Sequence, residues 1–182
     1  MVTTPYGKIS QLNYRKAEKI KMLICDVDGV FSDGRIYLGN QGEELKAFHT
    51  KDGFGIKAIL KAGIDVAVIT GRQSKIVSDR MQALGVPYIF QGQEDKISAY
   101  QSLLIKQKLT AQEVAYIGDD VVDLPVMQAC GLGIAVNDAH PLVLQHADLI
   151  TYTKGGFGAV REVCDLLLQC NNQLHTTQGK SE

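Results

Sequence analysis

Short apolar runs at residues 22–27, 64–69, 88–90, 114–117 and 133–136 alternate with stretches long enough to be helices. Such runs read as buried strands when turn residues bound them. Helices are expected at 10–20, 52–62, 74–84, 95–108, 121–129, 141–146 and 157–168, with Ser10 or Asn13 capping the first. Gly63 and Gly85 stand where two of them stop, and Pro125 is tolerated only in a first turn. Strand–helix alternation of this kind predicts an α/β protein: a doubly wound, Rossmann-like parallel sheet covered on both faces. Two β-like runs around Gly39-Asn40-Gln41-Gly42 predict a small hairpin, residues 35–49, inserted after the first strand. The chain has 182 residues, enough for one such domain, so 1–182 is read as a single domain. Its polar end, 171–182, is expected to be a flexible tail.

Composition excludes several classes. A net charge of −1 gives no electrostatic reason to bind nucleic acid or an acidic membrane. No apolar run approaches the ~20 residues of a membrane span. The first 21 residues hold no continuous apolar segment, so no secretory signal is expected. Cys25, Cys130, Cys164 and Cys170 form no CxxC pair; Cys25 and Cys164 sit in apolar stretches and read as small core residues. A reducing cytoplasm is the expected compartment.

Polar groups sit where the apolar runs end. Asp26 and Asp28 leave the first strand, Thr70 the second and Asp119-Asp120 the fourth, while Lys96 opens a helix. In a doubly wound sheet such ends converge on one rim, where ligands bind. A carboxylate is a competent oxygen nucleophile, and a second one nearby can move a proton. The expected roles follow. Asp26 attacks phosphorus, and Asp28 protonates the leaving alkoxide and then deprotonates the hydrolytic water. Thr70 and Lys96 hold phosphoryl oxygens. Asp26, the Asp28 carbonyl and Asp119 bind Mg²⁺. Each residue also has a plainer reading: a turn at 26–34, a helix cap at Thr70, a solvated Lys96, an N-cap pair at Asp119-Asp120. Asp123 reads as helix-dipole stabilisation, or as a brace for Lys96 or the metal.

The order DVDGV (26–30), ITG with Thr70, Lys96 and GDDVVD (118–123) resembles the four motifs of the haloacid dehalogenase-like phosphatases. That resemblance spans residues 22–168. It implies their fold, and Asp28, which the dehalogenases lack, implies phosphoryl transfer. Between Asp26 and Thr70 there is room for a helix, a strand and the hairpin, but not for a cap domain. A site without a cap is open to water, so a neighbouring subunit is expected to cover it. The hairpin, with Ile36, Tyr37, Leu38 and Phe48, is the expected assembly surface; the plainer reading folds it back on its own core.

Within that group, GRIYLGNQGEELKAFHTKDGFGIK, ITGR, FQGQEDK, VAYIGDD, DAHP and KGGFGAVREVCDLL are similar to the 3-deoxy-D-manno-octulosonate 8-phosphate (KDO 8-phosphate) phosphatases. That resemblance implies a capless homotetramer serving lipopolysaccharide biosynthesis. It also implies substrate contacts at Asp28, His49, Thr50, Lys51, Asp52, Gly53, Lys57, Arg72, Arg80 and Lys96. Lysine and arginine suit a ligand with a phosphate and a carboxylate, and a helix start at Asp52-Gly53 offers N–H groups, although Asp52 itself opposes an anion. Relatives often carry Arg where Lys57 and Phe157 stand. The loop 154–158 is implied to lie near the site, and Gly179-Lys180 to reach a neighbour's site. Arg161 has no assigned role; a salt bridge to Asp165 at i+4 is equally open. The alternatives are a nonulosonate 9-phosphate phosphatase, a phospho-acceptor signalling domain and a non-catalytic scaffold of the same fold.

Overall fold

The structure, a computed structural model, describes residues 1–177. The chain starts with a small antiparallel pair, β1 (Val2–Thr3) and β2 (Lys8–Ile9), closed by the Thr4 hydroxyl on the Gly7 carbonyl at 2.9 Å. Helix α1 (Gln11–Ala17) follows, capped by Ser10, whose hydroxyl accepts the Asn13 N–H at 3.0 Å. The central strand β3 (Met22–Cys25) is wholly buried. It ends two residues before the expected 27, because the Val27 carbonyl turns aside to accept the N–H groups of Val30, Phe31 and Ser32. The expected hairpin is β4 (Tyr37–Leu38) paired antiparallel with β5 (Glu44–Leu45).

Then α2 (Thr50–Lys61), β6 (Asp65–Ile69), α3 (Lys75–Ala83), β7 (Tyr88–Phe90) and α4 (Lys96–Gln107) alternate. They are followed by β8 (Val114–Gly118), α5 (Leu124–Ala129), β9 (Leu132–Ala135), α6 (Pro141–His146), β10 (Leu149–Ile150) and α7 (Ala159–Cys170). Helix α2 starts two residues earlier than expected, because His49 caps it by accepting the Lys51 N–H on Nδ1 at 3.2 Å. The stretch 121–129 is not one helix. Val121–Asp123 is a 3₁₀ turn, so α5 begins at Leu124 and Pro125 falls in its first turn, where its missing N–H costs nothing. Helix α7 starts at Ala159, after the left-handed Gly158.

The sheet has six parallel strands in the order β10-β9-β8-β3-β6-β7. The chain builds outward from β3 through β6 to β7, then returns to the other side of β3 and builds outward again from β8. Right-handed crossovers, the rule for parallel strands, would put α2 and α3 on one face and α4, α5 and α6 on the other. Helices α1 and α2 both pack on α7, and α4 packs on α5. The core lies between these layers and the buried strands, and includes Cys25 and Cys164 as free thiols. Among the described residues no helix is long and apolar enough to cross a membrane.

Candidate active site

The order of the strands reverses between β3 and β8, and that switch point is where an open α/β sheet forms its ligand crevice. Register places the functional groups there. Cys25 is level with Val68 of β6 and Ile117 of β8. Asp26 follows at once, its N–H donating to the Ile117 carbonyl at 3.0 Å. Thr70 and Asp119 therefore leave neighbouring strands on the same rim. Thr70 is buried at that rim and does not cap α3, whose N-cap is Ser74.

Lys96, only 4% exposed, reaches this rim from the first turn of α4. Its ammonium lies 2.9 Å from Asp26 Oδ1 and 2.7 Å from Asp123 Oδ1. Burial works against the charge of Lys96, but the two carboxylates outweigh it and hold its pKa above the ordinary value. Asp123 is thus the brace for Lys96. Its Oδ1 also accepts the buried Tyr116 hydroxyl at 2.6 Å, and its Oδ2 accepts the N–H groups of Asp119 and Asp120 at 3.0 and 3.1 Å. Asp120 caps the 3₁₀ turn, taking the Val121 N–H at 2.7 Å. Asp119 caps nothing: its Oδ1 is buried without a hydrogen bond.

Asp26, Asp119 and Asp123 each bring one carboxylate oxygen to within 4.8 Å of the others. Three carboxylates facing one ammonium leave an excess of two negative charges. Burial, then Asp123, pushes Asp26 up to about 6 against the pull of Lys96. Burial, then Asp26, Asp123 and Asp120, pushes Asp119 up to about 8. A hard divalent cation fits this donor set. Asp123 has both oxygens engaged, which leaves Asp26 and the unpartnered Asp119 as the side chains free to hold it. Gly29 keeps this space open: its φ is +91°, and a Cβ there would collide with the Asp119 carboxylate. Gly155 likewise lets the loop 154–158 lie directly on the Gly29 carbonyl, and the Gly155 N–H donates to Asp138 at 2.9 Å.

Asp28 lies beyond the cluster and pairs with Lys46 at 2.6 Å. Nothing local in the sequence marked Lys46, which reads as one more lysine beside a hairpin. Thr50, Lys51, Lys57 and Arg72 are exposed, and their side chains form no ion pair among the described residues. Arg80 lies 6.0 Å from the centre of the Phe48 ring, and a Cβ on Gly53 would meet its guanidinium at 2.5 Å. Asp52 turns inward. Its buried carboxylate accepts the Arg161 N–H at 2.8 Å, in the first turn of α7. Burial raises its pKa to about 6. Arg161 makes the i+4 pair with Asp165 at 2.8 Å and stacks 4.7 Å over Phe54. Gly179-Lys180 lies outside the described residues.

Comparison with known proteins agrees with this geometry. The family described as haloacid dehalogenase-like hydrolase matches residues 88–163, and that is the class the fold and site define. The 3-deoxy-D-manno-octulosonate 8-phosphate phosphatase of Yersinia pestis is 52% identical over 180 residues, 99% of this chain and 96% of that one. A crystal structure of the Y. pestis phosphatase superposes with a TM-score of 0.94, covering 96% of this chain and 94% of that one at 52% identity. The Moraxella catarrhalis phosphatase, solved in complex with magnesium ion, phosphate ion and a KDO molecule, has a TM-score of 0.88 at 43% identity, covering 90% and 94%. The chain belongs to the 3-deoxy-D-manno-octulosonate 8-phosphate phosphatase family.

Proposed function

We propose that this chain is a Mg²⁺-dependent phosphatase that hydrolyses KDO 8-phosphate to KDO and phosphate, for lipopolysaccharide biosynthesis. The observation that carries this reading is the buried cluster at the switch point, where Lys96 bridges Asp26 and Asp123 beside an unpartnered Asp119. The relatives' names supply the substrate.

Asp26 attacks phosphorus, and the bond from phosphorus to the C8 oxygen breaks as Asp28 gives that oxygen its proton. Water then attacks the aspartyl phosphate, its proton passes to Asp28, and the bond from phosphorus to Asp26 breaks. Lys96 orients Asp26 and offsets phosphoryl charge, and Thr70 donates to a phosphoryl oxygen. Asp26, Asp119 and the Asp28 carbonyl would hold Mg²⁺, which would supply the remaining charge neutralisation.

Lys57, Arg72 and Arg80 read the substrate's anionic groups, together with the His49–Gly53 segment. Asp52 contributes through its backbone, because its carboxylate faces α7. We further propose a cytoplasmic homotetramer in which a neighbour completes the open site. Tyr37, Leu38 and Leu45 support this by exposing 54%, 74% and 65% of their surfaces on the hairpin. Four free cysteines suit a reducing compartment.

The test is phosphate release from a panel of sugar-acid phosphates. Strong preference for the eight-carbon 8-phosphate, dependent on Mg²⁺, is expected. A nine-carbon preference would replace the substrate, and no release from any would leave only a scaffold.

A further inference from the structure

Lys46 follows β5 directly, on the hairpin. Its side chain has 0% exposure, and its ammonium lies 2.6 Å from Asp28 Oδ1. Glu44, two residues before it, is the other carboxylate within reach, at 3.6 Å. Lysine is among the residues least often buried, and a buried ammonium is retained only where it is paired. The flanking residues behave oppositely: Leu45 is 65% exposed and Ala47 is exposed as well. The hairpin thus exposes Tyr37, Leu38 and Leu45, leans Phe48 on the core and turns its buried cation toward Asp28.

We propose that Lys46 is a positioning residue for Asp28. This rests on the reading of Asp28 as the acid/base group. By engaging Oδ1, Lys46 fixes the rotation of the carboxylate and leaves Oδ2, which has no hydrogen bond among the described residues, as the oxygen that exchanges the proton. The same contact anchors the hairpin to the nucleophile loop 26–34. An unanchored Asp28 would sample rotations that carry Oδ2 away from the leaving oxygen, and misplacement by about 1 Å can cost on the order of 10²-fold in rate.

The test exploits the leaving group. An alkyl alkoxide needs the proton from Asp28, whereas 4-nitrophenolate departs without one. The value of kcat/KM reports only the steps up to that departure. KDO 8-phosphate and 4-nitrophenyl phosphate are compared for the wild-type enzyme, Lys46→Met, Asp28→Asn and the double variant, all with Mg²⁺. Lys46→Met is expected to lower kcat/KM about 10- to 100-fold on KDO 8-phosphate and less than about threefold on 4-nitrophenyl phosphate. In the Asp28→Asn background, Lys46→Met should cost nothing more. Equal losses on both substrates, or losses that multiply in the double variant, overturn the proposal. Lys46→Gln, which keeps an N–H donor without the charge, supplies the same comparison should Lys46→Met fail to fold. It should show the same selectivity to a smaller degree, and no selectivity in it also overturns the proposal. An Asp28→Asn enzyme unimpaired on KDO 8-phosphate would instead remove the acid/base reading itself.

Discussion

Asp52 is a carboxylate that the folded protein buries at a cost to its charged form. It is 1% exposed, accepts the Arg161 N–H on Oδ1 and leaves Oδ2 buried without a partner. Burial raises its pKa from 3.8 to about 6, opposed by the Arg161 N–H and the nearby His49, Arg80 and Arg161. Asp52→Asn keeps an oxygen for the Arg161 N–H and removes the charge. Each pH unit between the two values is worth about 1.4 kcal/mol, so the full span is worth about 3 kcal/mol. The sign follows from linkage. Below about pH 4 the group is protonated in both folded and unfolded chains, and the variant gains nothing. Between about pH 4 and 6 the unfolded chain ionises first, so the wild type loses stability relative to the variant. Above pH 6 the difference levels off. Urea unfolding of both proteins at pH 4, 5, 6 and 7.5 should therefore show Asp52→Asn becoming more stable as pH rises, by up to about 3 kcal/mol. A gap that does not change with pH, or a variant less stable at pH 7.5 than at pH 4 relative to wild type, would refute the reasoning.

Lys96→Met leaves Asp26 and Asp123 buried without their cation. It should destabilise the fold by about 3–5 kcal/mol in urea unfolding and abolish phosphate release. Asp28→Asn should lower turnover of KDO 8-phosphate by roughly 10²–10⁴ with little change in melting temperature; an unchanged rate removes its acid/base role. Chelation with EDTA should abolish turnover, and Mg²⁺ should restore it and raise the melting temperature, because a cation held by Asp26 and Asp119 binds the folded chain alone. Full activity in EDTA would exclude the metal site.

The rim was readable because each strand announces its own end. Four or more apolar residues give way to Asp26, Thr70 or Gly118-Asp119, and a parallel sheet leaves those ends no other place to go. What stayed hidden depends on contacts remote in sequence. The two-residue strands β1 and β10 have no apolar run of their own. Strand β1 is held through its partner β2, where the Tyr152 hydroxyl bonds both the N–H and the carbonyl of Lys8. Asp123 was open between cap and brace because the choice turns on α4 delivering Lys96, 27 residues away in sequence. Lys46 escaped notice because lysines are ordinarily solvated, and only the curl of the hairpin brings this one to Asp28. Asp52 looked like part of an anion site because its place at a helix start is local, whereas its partner on α7 is not.

The central claim is that the switch-point cluster carries the reaction through Asp26. Rapid acid quench of the Asp28→Asn enzyme during turnover of 4-nitrophenyl phosphate, whose leaving group needs no proton from Asp28, followed by peptide mass spectrometry, tests it most directly. A phosphoryl group on Asp26 is the expected result, absent in Asp26→Asn; a phosphoryl group on another residue, or turnover surviving in Asp26→Asn, would contradict it.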